Sequence, residues 1–230
     1  MIEITWTKDN LILVEKILSK TTFYKEQMDL ISNSLKNSNK ILDLGVGFGN
    51  LAKILIGQGK KVYGLDISDD SLEYSKSKIA SDKLGNFILI NNDMRELNYD
   101  SEFDAVSCVS NINFNNLLDL EKVVNGVYRA LKPNGLFAVT ACYSNKMAYY
   151  NEISSKEVIP LLENREIEIT DTELKIMTEF SELQSKSSSE SVEGLIYPDS
   201  LIKFLSGKFD PIKIKDFYNE TSYLIEAIKI

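Results

Sequence analysis

Three aspartates and three glycines in this chain have the types and spacing to hold a nucleoside. Asp43-Leu44-Gly45-Val46-Gly47-Phe48-Gly49 follows an apolar run that begins at Lys40, and a second apolar run, Lys61 to Leu65, ends in Asp66. Glycines at alternate positions let the main chain turn sharply and let a ligand approach it closely. An acid at the tip of the second strand can accept both hydroxyls of a ribose. Asp66 stands 21 residues after Gly45, the separation that a strand, a turn, a helix and a second strand require.

The glycines do not form a dinucleotide fingerprint. That pattern is G-x-G-x-x-G, yet residue 48 is Phe and residue 50 is Asn. The acid two residues before Gly45 also suits a cationic ligand better than a pyrophosphate. A nicotinamide oxidoreductase is therefore the weaker reading. Asp43, Asp66 and Asp93 argue against a scaffold subunit that has kept the fold and lost its chemistry.

These residues need elements to position them. Strands are expected near 40–44, 61–65, 87–90, 103–109 and 136–142, and helices near 48–58, 69–81 and 117–131. Such alternation predicts a parallel sheet covered on both faces, with ligands bound beyond the carboxyl ends of its strands. Gly45 to Gly49, Asp66, Asp93-Met94 and the stretch after Cys108-Val109 all fall at those ends.

The ordered series resembles the class I S-adenosylmethionine-dependent methyltransferases, over about residues 40–142 and loosely over the last 35. The resemblance implies a doubly wound, mostly parallel seven-stranded α/β sheet and S-adenosyl-L-methionine as cofactor. It places Gly45, Gly47 and Gly49 under the methionine end, with Asp43 holding that floor or the amino group. It gives Asp66 the ribose hydroxyls, Ile67 the adenine face, and Asp93 the adenine amino group with Met94 beside it. Backbone oxygens of Cys108 and Val109 would lie near the methionine amine.

The same resemblance divides one domain into four parts. Residues 1–38 form an N-terminal helical lid, 39–142 the cofactor-binding core, 143–197 an insertion, and 198–230 a C-terminal helix and antiparallel hairpin. In the first part Leu11, Val14, Ile17 and Leu18 define one helical face and Tyr24, Met28, Ile31 and Leu35 another, with Asp9 and Thr21 or Thr22 as caps. In the insertion Ile167–Ile169 and Leu174–Met177 read as strands, and Gln184 to Glu193 as a serine-rich exposed turn. The insertion either covers substrate or pairs two copies into a homodimer.

Composition narrows the function further. The chain has 26 basic and 34 acidic residues, a net charge of -8, so a nucleic-acid partner is disfavoured. The first 20 residues include Glu3, Lys8, Asp9, Glu15 and Lys16, and no run is long enough to span a bilayer, so a cytoplasmic protein with no membrane partner is expected. Cys108 and Cys142 read as reduced core cysteines on neighbouring strands. There is no histidine, which excludes an imidazole base, and two cysteines are too few for the usual metal sites. These features favour metal-independent transfer to a small molecule. Short similarity of Cys108–Ile112 to glycine and amino-sugar N-methyltransferases favours nitrogen as acceptor. O- or C-methylation, or a non-methylating use of the cofactor, is the alternative. Tyr24, Asn111, Asn113 and Tyr143 are the candidate acceptor contacts.

Overall fold

The computed structural model describes residues 7–112, 117–143, 153–178 and 198–230. Asn113, Tyr149, Tyr150 and the serine-rich turn lie outside them. The sheet is built from β1 (Lys40–Leu44), β2 (Lys61–Asp66), β3 (Phe87–Asn91), β4 (Phe103–Val109), β5 (Leu131–Cys142), β6 (Phe209–Phe217) and β7 (Ser222–Lys229). Its order is β3-β2-β1-β4-β5-β7-β6. Strands β1 to β5 pair in parallel, and β7 runs antiparallel to both β5 and β6. The strand order reverses between β1 and β4, and a crevice at their carboxyl ends is the binding place such sheets provide.

Alternation along each strand sends side chains to two cores. Leu42, Leu44, Val106, Cys108, Phe137 and Val139 meet α5 (Leu117–Ala130), through Val123, Val124 and Val127, and the C-terminal helix α8 (Pro198–Leu205), through Leu201 and Leu205. Ile41, Val62, Ala105 and Ala138 meet α2 (Thr22–Ser34), α3 (Asn50–Gly57) and α4 (Asp69–Ser77) on the other face. Each fully buried leucine or valine in these layers contributes on the order of 1.5–3 kcal/mol.

A third core closes the carboxyl edge. Leu13 and Ile17 of α1 (Lys8–Leu18) and Phe23 of α2 pack with Ile153, Val158 and Ile167 of the insertion and with Phe217 and Tyr218 of the terminal hairpin. Phe23 stacks on Phe217 at 5.9 Å and meets Tyr218 edge-on at 5.2 Å. The insertion also caps α2. Glu157 accepts from the first-turn N–H groups of Thr22 and Phe23, the latter at 3.2 Å, placing a carboxylate at the positive helix end.

Several local expectations change. Thr7, not Asp9, caps α1, accepting from Asn10 N–H at 3.4 Å, and Asp9 sits inside the first turn. Of the two threonines, Thr21 caps α2. Strand β5 is longer than 136–142, because Leu131 already pairs with Phe103 before an irregular step in register.

The insertion contains no strand at Ile167–Ile169 or Leu174–Met177. A π turn at Ser154–Val158 runs into α6 (Ile159–Glu163), residues 167–170 are irregular, and residues 171–178 form a helix, α7. The reason is a capping box. Thr170 Oγ1 accepts from Glu173 N–H at 3.2 Å, and Glu173 Oε2 accepts from Thr170 N–H at 2.7 Å, so two otherwise unpaired donors favour the helix.

Candidate functional site

The turn after β1 is shaped by positive φ. Gly45, Gly47 and Gly49 have φ of 69°, 49° and 74°, a region that residues with a Cβ rarely adopt. Gly49 is the left-handed cap of α3, and a Cβ there would meet Ser75 Cβ at 2.5 Å and Ser75 Cα at 2.8 Å. This glycine lets α4 pack against the turn. A Cβ on Gly47 would meet only Gly45 O, at 3.8 Å, so the space above Gly47 is open.

Asp66 braces that turn from β2. Its Oδ2 accepts from Gly47 N–H at 3.0 Å and its Oδ1 from Ser68 N–H at 3.0 Å. Burial pushes the Asp66 carboxyl above its ordinary range, and the backbone donors of Ser68, Gly47 and Ile67 only partly offset it. Ser68 is the N-cap of α4. Ile67, next to it, is 62% exposed just beyond the end of β2.

Asp43 lies beneath the turn, 3% exposed, and accepts from Ser107 Oγ at 2.7 Å across the β1–β4 pair. Burial pushes its carboxyl up to about 7. The Ser107 hydroxyl opposes this rise and the nearby charge of Asp66 adds to it.

Beyond β4 the chain turns at Ser110, whose φ is 55°. Two side chains hold this turn. Asn111 Nδ2 donates to Gly45 O at 2.7 Å and to Val109 O at 3.0 Å. Gln27, a buried residue of α2, donates to Ser110 Oγ at 2.8 Å and Thr140 Oγ1 at 3.1 Å. Cys108 is buried, and desolvation pushes its thiol up to about 12. It pairs with Val139, whereas Cys142 lies three positions further and pairs with Ser222; the two do not form a disulfide.

The other site residues are placed less uniformly. Asp93 caps the short turn Met94–Glu96 through Arg95 N–H at 2.8 Å. It also forms an ion pair with Arg95, which holds its carboxyl below the usual range. Met94 is half-buried against the α5 core. Tyr143 donates to Asp216 on β6 and packs on Tyr223 at 4.9 Å, so its hydroxyl is engaged at the hairpin rather than at the glycine turn.

Tyr24 does reach the turn. Its ring lies 6.5 Å from that of Phe48, and its hydroxyl accepts from Asn50 Nδ2 at 2.8 Å. Burial raises its pKa strongly. Asn50 Oδ1 accepts from Lys78 Nζ at 3.0 Å, Lys78 pairs with Glu15, and Tyr74 donates to Glu15 at 2.5 Å. The Lys78 and Glu15 side chains are only 13% and 15% exposed. This chain of contacts ties α1 and α2 to α3 and α4 beside the glycines.

Sequence reasoning passed over Gln27, Ser107, Asn50, Lys78 and Glu15. Two of them had a local signal: Gln27 interrupts the apolar stripe Phe23–Met28–Ile31, and Ser107 interrupts the apolar run of β4. Among the described residues no cluster of three or more acids, cysteines or histidines is arranged to hold a metal, and no helix is long and apolar enough to cross a membrane.

Comparison with known proteins fits this geometry. Residues 41–135 match the model of the methyltransferase domain family. The putative methyltransferase YqeM of Bacillus subtilis is 31% identical over 54% of this chain and 51% of its own. A carboxy-S-adenosyl-L-methionine synthase of Nautilia profundicola is 28% identical over 76% of this chain and 71% of its own. Among solved structures, the N-methyltransferase NodS of Bradyrhizobium japonicum in complex with S-adenosylhomocysteine superposes with a TM-score of 0.64 at 9% identity, covering 96% of this chain and 98% of that one. Other matched relatives are ubiquinone-pathway O- and C-methyltransferases. The chain spans about half the length of YqeM and of several other curated relatives it matches. Its residues 41–135 are thus similar to methyltransferase domains, and the fold is shared with solved methyltransferase structures.

Proposed function

We propose that the chain is an enzyme that binds S-adenosyl-L-methionine across the β1–β4 crevice and directs its methyl group to a small molecule without a metal. The observation that carries this reading is the glycine turn itself. The space above Gly47 is open, Asp66 braces the turn from one side, and backbone carbonyls of Gly45 and Val109 converge on the other. That hollow accepts a ligand with ribose hydroxyls at one end and a nitrogen donor at the other.

When bound, the cofactor supplies a methyl group already activated by a sulfonium charge. The chain's own residues need only orient and exclude water. Asp66 would hold the ribose, with Ile67 beneath the adenine and Met94 near its edge. Asp93 would reach the adenine amino group through lone pairs left by Arg95. Gly45, Gly47, Gly49 and Asp43 would form the floor, and the backbone oxygens of Cys108 and Val109 would face the amine. The segments 7–38 and 153–178 would serve as cover, with Tyr24, Asn111 and Asn113 near the acceptor. Tyr143 is a weaker acceptor candidate because its hydroxyl already serves Asp216.

Nitrogen is the favoured acceptor atom, because an amine bound neutral needs no strong base and the chain has no histidine. Matched relatives are named as O- and C-methyltransferases. The synthase relative, which matches three quarters of the chain, favours a non-methylating reaction as the second reading. The net charge of -8 speaks against a nucleic-acid acceptor, and the hairpin edge strand β6 would be the place for homodimer pairing.

Calorimetric titration tests the reading. S-adenosylmethionine and S-adenosylhomocysteine should bind and raise the melting temperature, and NAD should do neither. Binding of NAD without S-adenosylhomocysteine would overturn it. Turnover on an identified acceptor should survive a chelator; loss restored by magnesium would transfer the assignment to metal-assisted O-methylation.

A further inference from the structure

One of the hollows left by the glycines is filled from within the chain. A Cβ on Gly45 would meet Asn111 Nδ2 at 2.4 Å and Asn111 Cγ at 2.5 Å, so the Asn111 carboxamide lies directly over Gly45. Above Gly47, two residues on, the space is open. The Asn111 amide therefore occupies one end of the hollow assigned to the cofactor and leaves the rest clear.

Its nitrogen is held by two main-chain carbonyls, Gly45 O at 2.7 Å and Val109 O at 3.0 Å. They lie at the carboxyl ends of β1 and β4, neighbouring parallel strands. Only the NH2 end of the carboxamide can satisfy both, since its oxygen would face two acceptors. Two carbonyls converging on one nitrogen form a subsite for a group with at least two N–H bonds. A primary ammonium meets that requirement better than a neutral amide, because charge-assisted hydrogen bonds are roughly twice as strong as neutral ones. The nearby Asp66 carboxyl, which accepts from Gly47, is an acidic group on the same turn.

We propose that Asn111 Nδ2 stands in the place of the cofactor's α-ammonium group, and that Asn111 is a specificity-determining residue whose side chain must leave before an ammonium-bearing ligand can seat. The proposal rests on the cofactor reading given above. Ligands with an ammonium group displace the carboxamide and bear the cost of its two hydrogen bonds. A nucleoside without the amino-acid portion leaves Asn111 where it is. Apparent affinity for the first kind of ligand is reduced by the fraction of chains in which the subsite is clear. The residue thereby narrows the gap in affinity between the cofactor and its nucleoside fragments, and it holds the end of β4 to the glycine turn while no ligand is bound.

The test is calorimetric titration of the full chain, as wild type, Asn111→Ala and Asn111→Asp, with S-adenosylhomocysteine and with 5′-methylthioadenosine. The second ligand is the same nucleoside without the amino-acid portion. Asn111→Asp is isosteric and cannot donate to either carbonyl, so it carries the test should alanine loosen the turn. Ligand-free melting curves report that. Both variants should bind S-adenosylhomocysteine about three- to tenfold more tightly than wild type, a range set by the fraction of closed subsites relieved. Affinity for 5′-methylthioadenosine should stay within about twofold, as its binding pays no such fraction. Unchanged or weakened binding of S-adenosylhomocysteine by the folded variants overturns the proposal, as does an equal gain for both ligands. A wild type that binds neither ligand overturns the cofactor reading and this proposal with it, and so separates the two failures.

Discussion

In the floor of the cleft the defining contacts involve main chain. Asp66 accepts from the N–H groups of Gly47 and Ser68, and Asn111 donates to the carbonyls of Gly45 and Val109. In the cover they run from side chain to side chain, Tyr24 to Asn50 to Lys78 to Glu15 to Tyr74. A contact to main chain depends on local backbone geometry, and three positive φ values fix that geometry over five residues. A contact between side chains depends on where separate helices come to rest. The glycine turn in the floor is therefore rigid and tolerates little change, whereas the cover can be loosened one link at a time.

Gly49→Ala should show the largest effect. The new Cβ would meet the Ser75 backbone as well as its side chain, at a φ of 74°, so α4 must move or the turn must strain. Strain of this kind costs on the order of 1–3 kcal/mol before the clash is counted. Thermal melts should fall by several degrees and S-adenosylhomocysteine binding should be lost. A variant with unaltered melting and binding would show that the floor is not rigid.

Asp66→Ala comes next. It removes two backbone braces and, in the proposed complex, charge-assisted hydrogen bonds to the ribose worth about 1.5–3 kcal/mol each. Calorimetry should show affinity for S-adenosylhomocysteine at least ~10-fold weaker. An unaltered dissociation constant would confine Asp66 to bracing the turn.

On the cover side, Lys78→Met should leave equilibrium affinity nearly intact but raise the rate at which S-adenosylhomocysteine dissociates. The loss of Lys78 leaves Glu15 with Tyr74 and Asn50 and removes the ion pair between α1 and the end of α4. Burial lowers the Lys78 pKa while Glu15 supports its charge, so the pair depends on both partners. Stopped-flow release no faster than wild type would show that the clasp does not govern the cleft.

The smallest effect concerns pH. Burial raises the Asp43 carboxyl from 3.8 to about 7 in the folded chain. The folded state therefore holds this proton more firmly than the unfolded one. The associated stability is fully present below the unfolded value and is lost as pH rises through the folded one. Melting temperature should carry a downward component between about pH 4 and pH 7. Asp43→Asn should flatten it, because an amide keeps a polar partner for Ser107 without titrating. A wild-type and a variant profile of the same slope would place the ionisation of Asp43 elsewhere.

The floor could be read from the sequence because its demands are local. Positive φ at three alternating positions calls for glycines there, a parallel β–α–β unit sets the distance to Asp66, and apolar strands buried on both faces read as runs. For the same reason β1 to β4 lie near their expected bounds, β5 differs only in starting earlier, and the terminal hairpin is present. The insertion was misread where Leu174–Met177 looked like a strand, although Thr170 and Glu173 already spelled the cap of a helix. Asp93 shows a different limit. Its position at the end of β3 was legible, but its pairing with Arg95 was not, because a carboxylate at a strand end can face a ligand or a neighbour equally well.

The sequence by itself determined the sheet's alternation, the glycine turn and the acids at its edge, since each is written within one β–α–β span and constrained by backbone geometry. Tertiary structure alone decided that Glu15 pairs with Lys78 across 63 positions, that Gln27 bridges Ser110 and Thr140, and that Asn111 fills the hollow over Gly45. With 26 basic and 34 acidic residues, charge type does not select a partner; helix packing does, by bringing one pair within reach and separating the rest.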